Sequence, residues 1–95
     1  MSAYIIVEVD VKDPVRYEDY KKLTPASISA YGGRFIVRGG KAELIEGNQE
    51  PNRIVVLEFE SAGKAKAWWN SPEYSEAKKL RHATADSRMI LVEGV

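Results

Sequence analysis

Two acidic and two basic residues are predicted to share one face of a β-sheet: Glu8, Arg34, Arg38 and Glu58. They fall at alternate positions of three predicted strands, among apolar neighbours. An arginine fork binds a carboxylate or an enolate through paired hydrogen bonds, and a carboxylate held nearby can serve as a general base. One interpretation is therefore a pocket for a small organic acid or carbonyl compound. Its substrate-binding candidates are Arg34, Arg38 and Glu8, and its catalytic candidate is Glu58.

The same four side chains also have a structural interpretation. Charges in apolar surroundings must be paired. Ion pairs of Glu58 with Arg34, and of Glu8 with Arg38, at an interface between two protomers would produce the same pattern. Pairing alone does not distinguish a binding site from a scaffold, so both interpretations stay open.

Aromatic residues supply the remaining pocket candidates. Tyr17 and Tyr20 lie three residues apart on one predicted helix face, and the Tyr20 hydroxyl is a second catalytic candidate if it points into a cleft. Trp68 and Trp69 are adjacent, hence about 100° apart around a helix, so only one is expected to be fully buried. Trp68 is the candidate to wall the pocket. The alternative for each of these aromatic side chains is core packing.

Neither a metal nor a cofactor is expected. His82 is the only histidine, cysteine is absent, and a metal site needs three or four convergent ligands. Helical spacing places His82 on a solvent-facing side. The glycine pairs at 32–33 and 39–40 do not fit a phosphate-binding loop, and they are expected to end a helix and to bend a strand. Arg81 and Arg88 are expected in surface or ion-pair roles.

Period-two alternation, caps and glycines divide the chain into strands and helices. A strand over Ala3–Val11 precedes a helix that begins at Asp13-Pro14 and ends at Gly32-Gly33. Pro25 lies inside this helix, where a kink or a restart capped by Thr24 is expected. The remaining predicted elements are a strand over Arg34–Arg38, an extended segment over 42–46 that could continue it past a bulge, a strand over Arg53–Phe59, a short helix after Ser61, a helix from Ser71-Pro72 to about residue 85, and a strand over 87–93.

This order predicts one ferredoxin-like α+β domain over residues 1–95, a βαββαβ antiparallel sheet with helices on one face. The chain has 95 residues, of which 44% are hydrophobic and 29% charged, and its formal net charge is zero. A neutral chain argues against nucleic-acid and membrane partners, which need a basic excess. No apolar run approaches a membrane span and no export signal is visible. We therefore expect a cytoplasmic protein.

Both faces of the predicted sheet carry apolar residues. One face, expected to pack under the helices, holds Ile5, Val7, Val9, Phe35, Val37, Val55, Leu57 and Phe59. The other holds Tyr4, Ile6, Ile36, Ile54 and Val56 beside the four charged residues, with Ile90 or Met89 added according to register. A second apolar face on one small domain is typical of an association site. The expected partner is a second copy of the chain, packed sheet to sheet as a homodimer.

Six short motifs occur in order and with compatible spacing: Tyr31-Gly32-Gly33-Arg34-Phe35, Arg38-Gly39-Gly40, Glu46-Gly47, Val56-Leu57-Glu58-Phe59, Asn70-Ser71-Pro72-Glu73-Tyr74 and Val92-Glu93-Gly94. As a set covering nearly the whole chain, they resemble the family known as DUF thirteen-thirty (DUF1330). The resemblance implies membership of the dimeric α/β-barrel superfamily, in which two ferredoxin-like protomers form a barrel through their sheets. That superfamily includes cofactor-free monooxygenases, isomerases and haem enzymes, so the fold does not select a chemistry.

Two classes of function follow. The first is a small-molecule-binding protein or cofactor-independent enzyme acting on a small organic acid or carbonyl compound, with a small anionic metabolite as ligand. The second is a non-catalytic dimeric module whose Arg/Glu cluster is structural. A ligand held by Arg34 or Arg38 would favour the first class, and an interior filled by side chains would favour the second.

Overall fold

Four strands and three helices follow one another along residues 2–95, the part of the chain that the computed structural model describes. In order they are β1 (Ala3–Val11), α1 (Pro14–Ala30), β2 (Arg34–Arg38), β3 (Arg53–Phe59), α2 (Ala62–Trp69), α3 (Pro72–Thr84) and β4 (Ala85–Glu93). The strands form one antiparallel sheet in the order β2-β3-β1-β4. The predicted ferredoxin-like fold is confirmed.

Each helix begins at a residue whose side chain accepts a backbone hydrogen bond. Asp13 accepts from the amide of Arg16, Ser61 from Lys64 and Ser71 from Tyr74. Such caps satisfy N–H groups that have no partner within the first turn. Prolines 14 and 72 follow two of these caps, at positions where a missing N–H costs nothing. The predicted helix starts are thus confirmed.

Pro25 does not divide α1. The helix is continuous from Pro14 to Ala30, so the expected restart at Thr24 is wrong. The Thr24 hydroxyl instead donates to the carbonyl of Tyr20 at 2.6 Å. Because proline has no N–H, the carbonyl four residues earlier, that of Lys21, has no helical donor. This carbonyl accepts a hydrogen bond from the side chain of Arg38 instead.

A β-bulge in β2 reverses two of the predicted side-chain directions. Phe35 pairs with Leu57, but the next pairs are Val37 with Val56 and Arg38 with Val55, which leaves Ile36 as the extra residue. Val37 therefore lies on the outer face and Arg38 on the helix-covered face. The predicted faces of Val37 and Arg38 are therefore wrong, because strict alternation of side chains along a strand fails at one inserted residue.

The segment after β2 is irregular. Residues 42–46 form no strand, and the polypeptide enters no regular element again until Arg53. The expected continuation of the second strand is therefore wrong. Leu44 and Ile45 are the apolar residues of this segment, and Ile45 is exposed.

The core lies between the sheet and the helices. The inner face of the sheet contributes Ile5, Val7, Val9, Leu57 and Phe59, and the helices add buried aromatic rings, the largest being Trp68. Trp68 has no exposed surface, whereas Trp69 is 38% exposed, as their angular separation predicts. The described helices include none long and apolar enough to cross a membrane.

The outer face of the sheet is uncovered. Ile36, Val37, Ile90 and Val92 are exposed there, beside the half-buried Tyr4, Ile6, Ile54 and Val56. Ile90 pairs with Ile6 and so belongs to this face, whereas Met89 pairs with Val7 and lies on the inner face. We call this surface the outer apolar face.

Candidate functional site

A cleft lies between α1 and the inner face of the sheet. We call it the arginine cleft. Its lining combines apolar and aromatic side chains with three cations: Val7, Val9, Tyr17, Tyr20, Lys21, Thr24, Phe35, Arg38, Arg53, Val55, Leu57, Trp68 and Met89. None of these lining residues is acidic, and the carboxylate of Glu18 belongs to the open mouth.

Arg38 crosses the mouth of the arginine cleft from β2 to α1. Its Nη2 donates to the carbonyl of Lys21 at 2.8 Å, and its guanidinium stacks over the ring of Phe35, 4.4 Å from the ring centre. The acceptor is the carbonyl that Pro25 leaves without a helical donor. A bulge in one strand and a proline in one helix thus together position this arginine.

Arg53 enters the cleft from the first residue of β3. Its guanidinium lies 5.9 Å from the ring centre of Tyr17, and its Nε is buried without a hydrogen-bond partner among the described residues. Gly39 adjoins it with a φ of +69°, and a Cβ there would overlap the guanidinium. The glycine both adopts the left-handed backbone and makes room for Arg53.

The two arginines have no carboxylate partner. Among residues 2–95 no acidic oxygen lies within 4.0 Å of Arg38 or Arg53, whereas Lys21 pairs with Glu18 at 3.1 Å. The closed inner part of the cleft has a volume of about 20 Å³, room for one water molecule. The open mouth, shared by Glu18, Lys21 and both arginines, encloses about 430 Å³. A positive mouth therefore leads into an apolar interior.

Tyr20 lies inside this cleft as a neutral phenol. Its hydroxyl is 3.0 Å from the hydroxyl of Tyr74, which accepts from Nε of Arg81 at 3.2 Å. Burial, reinforced by Tyr74, raises the pKa of Tyr20 far above its ordinary value, and burial also raises that of Tyr17. A phenol with a raised pKa donates hydrogen bonds at neutral pH and does not act as a base. The geometry suits Tyr20 as a donor.

Trp68 forms the floor of the cleft. Its indole N–H donates to the hydroxyl of Ser27 at 3.1 Å, so its one polar atom is satisfied within the core. Its ring stacks against Phe59 and Tyr74, with centres 5.6 and 4.1 Å apart. Of the predicted site residues, the structure brings together Tyr20, Trp68 and Arg38.

Arg34 and Glu58 lie elsewhere, on the opposite side of the sheet. They pair directly across β2 and β3, with the Arg34 Nε 2.7 Å from Oε1 of Glu58. The Arg34 side chain is 72% exposed and that of Glu58 19%. Hydrogen bonds from Arg34 and Ser2 hold the pKa of Glu58 below its ordinary value. The two residues form an ion pair at the surface and do not line the arginine cleft.

Glu8 is separated from all the other candidates. It pairs with Ile54 and Arg88 across the sheet and lies on the outer face. The expected approach of Glu8 to Arg38 is wrong, because the bulge sends Arg38 to the other side. The predicted four-residue cluster is therefore not formed within the protomer.

Arg81 also departs from its expected surface role. It is only 3% exposed, and it hydrogen-bonds Tyr74, Ser87 and the exposed His82. The sequence does indicate that Arg81 is buried, because residues 74, 77 and 81 lie on one side of the helix by their spacing. Arg53 was missed in the same way, since it alternates along β3 with Val55 and Leu57 and so lies on the same inner face.

In residues 2–95 no cluster of three or more histidine, aspartate or glutamate side chains could hold a metal ion.

The comparisons with solved structures show the fold. A protein of unknown function from Rhodopseudomonas palustris is 19% identical, with a TM-score of 0.81 over 99% of this chain and 82% of that one. A dimeric ferredoxin-like protein of unknown function from Jannaschia is 15% identical, with a TM-score of 0.76 over 99% of this chain and all of the other. The cofactor-independent oxygenase SnoaB from Streptomyces nogalater is 14% identical, with a TM-score of 0.69 over 99% and 93% of the two chains.

No curated protein matches the sequence. A family model does match, over residues 2–95, and its description is a domain of unknown function, DUF1330. That span takes in every strand and helix described above, from the first residue of β1 to the last of β4. The chain belongs to the DUF1330 family.

Proposed function

We propose that this protein binds a small organic anion, a carboxylate or the enolate of a carbonyl compound, in the arginine cleft. The observation that carries the proposal is the pair Arg38 and Arg53 at the mouth, two guanidinium groups without a carboxylate partner. A guanidinium presents a planar fork of donors that matches a carboxylate. The partnerless buried Nε of Arg53 is a donor that such an anion would satisfy.

Tyr20 completes the site as a third donor. Because Arg81 can only donate, the Tyr74 oxygen accepts from it, and the Tyr74 hydrogen is then available to Tyr20. When Tyr74 donates to Tyr20, which is one of the two directions that this contact permits, the Tyr20 O–H is left for a ligand oxygen. Donors aimed at an oxygen that becomes negative stabilise an enolate more than its parent carbonyl. The catalytic form of the proposal is therefore a cofactor-independent enzyme acting on a carbonyl compound.

The assembly we propose is a homodimer through the outer apolar face. Its support is the group of exposed aliphatic side chains on that face and the dimeric state of the similar Jannaschia protein. The arginine cleft opens on the other side of the sheet, so dimerisation leaves it accessible.

A non-catalytic dimeric module is the second candidate. The closed part of the cleft, at about 20 Å³, is nearly filled by side chains, and the Arg34–Glu58 pair is satisfied without a ligand. Both features fit a protein whose polar residues serve its structure.

Calorimetric titration with benzoate, pyruvate and acetoacetate separates the two candidates. We expect saturable binding of at least one anion, weakened about tenfold or more by Arg38→Met or Arg53→Met, because each removes a charge-assisted hydrogen bond. Arg34→Met is the matched control, since it removes the same charge outside the cleft.

Absence of saturable binding at millimolar concentration would favour the structural module. Equal weakening by all three arginine variants would show that net charge, and not the cleft, holds the anion.

A further inference from the structure

A second groove lies on the helix side of β4, apart from the arginine cleft. It has a volume of about 440 Å³ and opens between α2, α3 and the inner face of the sheet. We call it the β4 groove. Three kinds of residue line it: apolar Met89, Leu91 and Ala65, the ring of Trp69, and the polar Lys66 and Arg81 among others. None of the lining residues is acidic.

Arg81 is the buried cation of this groove. Its polar contacts are the Tyr74 hydroxyl at 3.2 Å, the Ser87 hydroxyl, and Nε2 of His82 at 3.3 Å. Each contact is a neutral group: the pKa of His82 is lowered, by burial first and then by Arg81 and Lys78. Among residues 2–95 no carboxylate lies within 4.0 Å of the Arg81 guanidinium.

A buried guanidinium without a counter-ion is uncommon in proteins, because desolvation of a charge is costly unless the charge is paired. Neutral acceptors satisfy some of its five donors but do not neutralise the charge. An anion entering the groove would supply the missing charge in a partly desolvated environment, where an ion pair is stronger than in water.

The remaining walls define the rest of the ligand. Met89 and Leu91 are half-buried apolar residues of the groove wall, and the partly exposed Trp69 lines the same opening. Lys66, exposed on α2 and without an acidic partner within 4.0 Å, adds a second positive charge at the rim. Volume, apolar wall and cationic end together match a compact amphipathic carboxylate.

We propose that the β4 groove binds a short- to medium-chain monocarboxylate, with its carboxylate at Arg81 and Lys66 and its hydrocarbon chain along Met89 and Leu91. This site adjoins the arginine cleft, since Met89 lines both, but it has its own cations and its own opening. The Tyr20–Tyr74 hydrogen bond continues to Arg81, but no charged side chain is shared between the two linings. The groove also lies on the side of the sheet opposite the outer apolar face.

The test follows methyl resonances of the whole protein during titration with hexanoate. We expect saturable shifts of the Leu91 methyl groups, because Leu91 lines the β4 groove only, whereas Met89 lines both sites. Hexanol, which lacks the charge, and acetate, which lacks the chain, should each bind at least about tenfold more weakly.

Two matched variants on α2 locate the anion. Lys66→Glu reverses a charge in the groove lining, whereas Lys64→Glu makes the same change two residues earlier, about 200° around the same helix and outside the lining. We expect Lys66→Glu to weaken hexanoate binding severalfold more than Lys64→Glu. Arg81→Lys, which keeps the charge but loses the fork, should also weaken it, and Arg34→Met, outside both linings, should leave it unchanged.

Three results would overturn the proposal. One is the absence of saturable Leu91 shifts in the natural protein. Another is equal loss in the two lysine variants, which are both surface changes and should fold. The third is hexanol binding as tightly as hexanoate. None of these bears on the arginine cleft, whose test uses Arg38 and Arg53.

Discussion

The Nη2 of Arg38 donates to the backbone carbonyl of Lys21 at 2.8 Å, joining the edge strand β2 to the middle of α1. The carbonyl is available because Pro25, four residues later, has no N–H to occupy it. A proline that weakens the helix thereby provides the acceptor for an arginine of the candidate site.

Replacement of this proline tests the relationship. Pro25→Ala restores an N–H that competes with Arg38 for the Lys21 carbonyl, and we expect the free energy of unfolding to rise by about 1 to 3 kcal/mol. Urea denaturation measures the change.

A double-mutant cycle isolates the competition. Arg38→Met should cost less stability in the Pro25→Ala background than in the natural chain, with a coupling of at least about 0.5 kcal/mol. Arg34→Met is the control and should cost the same in both backgrounds. Additive effects of Pro25→Ala and Arg38→Met would rule out a shared acceptor.

Dimerisation is tested on the outer apolar face. We expect light scattering to give about twice the chain mass of 10.6 kDa. Ile54→Lys should lower the mass or unfold the protein, because it places a charge on that apolar face. Val15→Lys makes the same kind of change on the exposed side of α1 and should leave the dimer intact. A folded monomer of the natural chain would contradict the assembly.

The ion pair of Arg34 and Glu58 should be visible in acid. Because the folded-state pKa of Glu58 is depressed, its contribution to stability is present above its ordinary pKa of 4.5 and is lost as pH falls through the lower folded value. We expect Arg34→Met to reduce this acid-dependent loss. At neutral pH its cost should be small, as is usual for exposed pairs. Urea midpoints measured from neutral to acidic pH give the cost at neutral pH and the loss of stability in acid. The same loss in acid for the variant and the natural chain would count against the pairing.

His82 should contribute a pH dependence of its own. Its folded-state pKa is lowered, so the unfolded chain binds this proton more readily, and stability falls as pH drops below the ordinary value of 6.5 toward the lower folded value. We expect His82→Gln to flatten this part of the profile. In mildly alkaline solution the variant should match the natural chain within about 0.5 kcal/mol, as surface substitutions usually do. A large loss there would mean that the contact with Arg81 is essential to the fold.

The sequence was sufficient to predict the fold but only part of the candidate site. Caps at Asp13, Ser61 and Ser71 are local signals, and alternation within β1 is unbroken, so these elements could be placed correctly. Arg38 could not be placed, because nothing in the residues of β2 marks Ile36 as the extra one.

Arg53 and Arg81 illustrate a different limit. The alternation along β3 and the helical spacing along α3 place both residues on inward-facing sides. A long charged side chain at such a position usually buries its stem and keeps its charged group in water. Their burial depends on long-range partners: Gly39 makes room for Arg53, and Tyr74 and Ser87 accept from Arg81. Such contacts are set by tertiary packing and leave no local signature.

The bulge at Ile36 decides which face of the sheet Arg38 occupies. In a regular register Val37 would face α1 and Arg38 would face outward, so the contacts of Arg38 with Lys21 and Phe35 exist only in the bulged register and stabilise it. The anion that we propose at Arg38 would favour the same register, and by thermodynamic reciprocity the register would set the affinity for that anion. Occupancy of the cleft and the pairing of an edge strand would then be linked equilibria. Deletion of Ile36, which leaves only the register with Arg38 facing inward, would uncouple them.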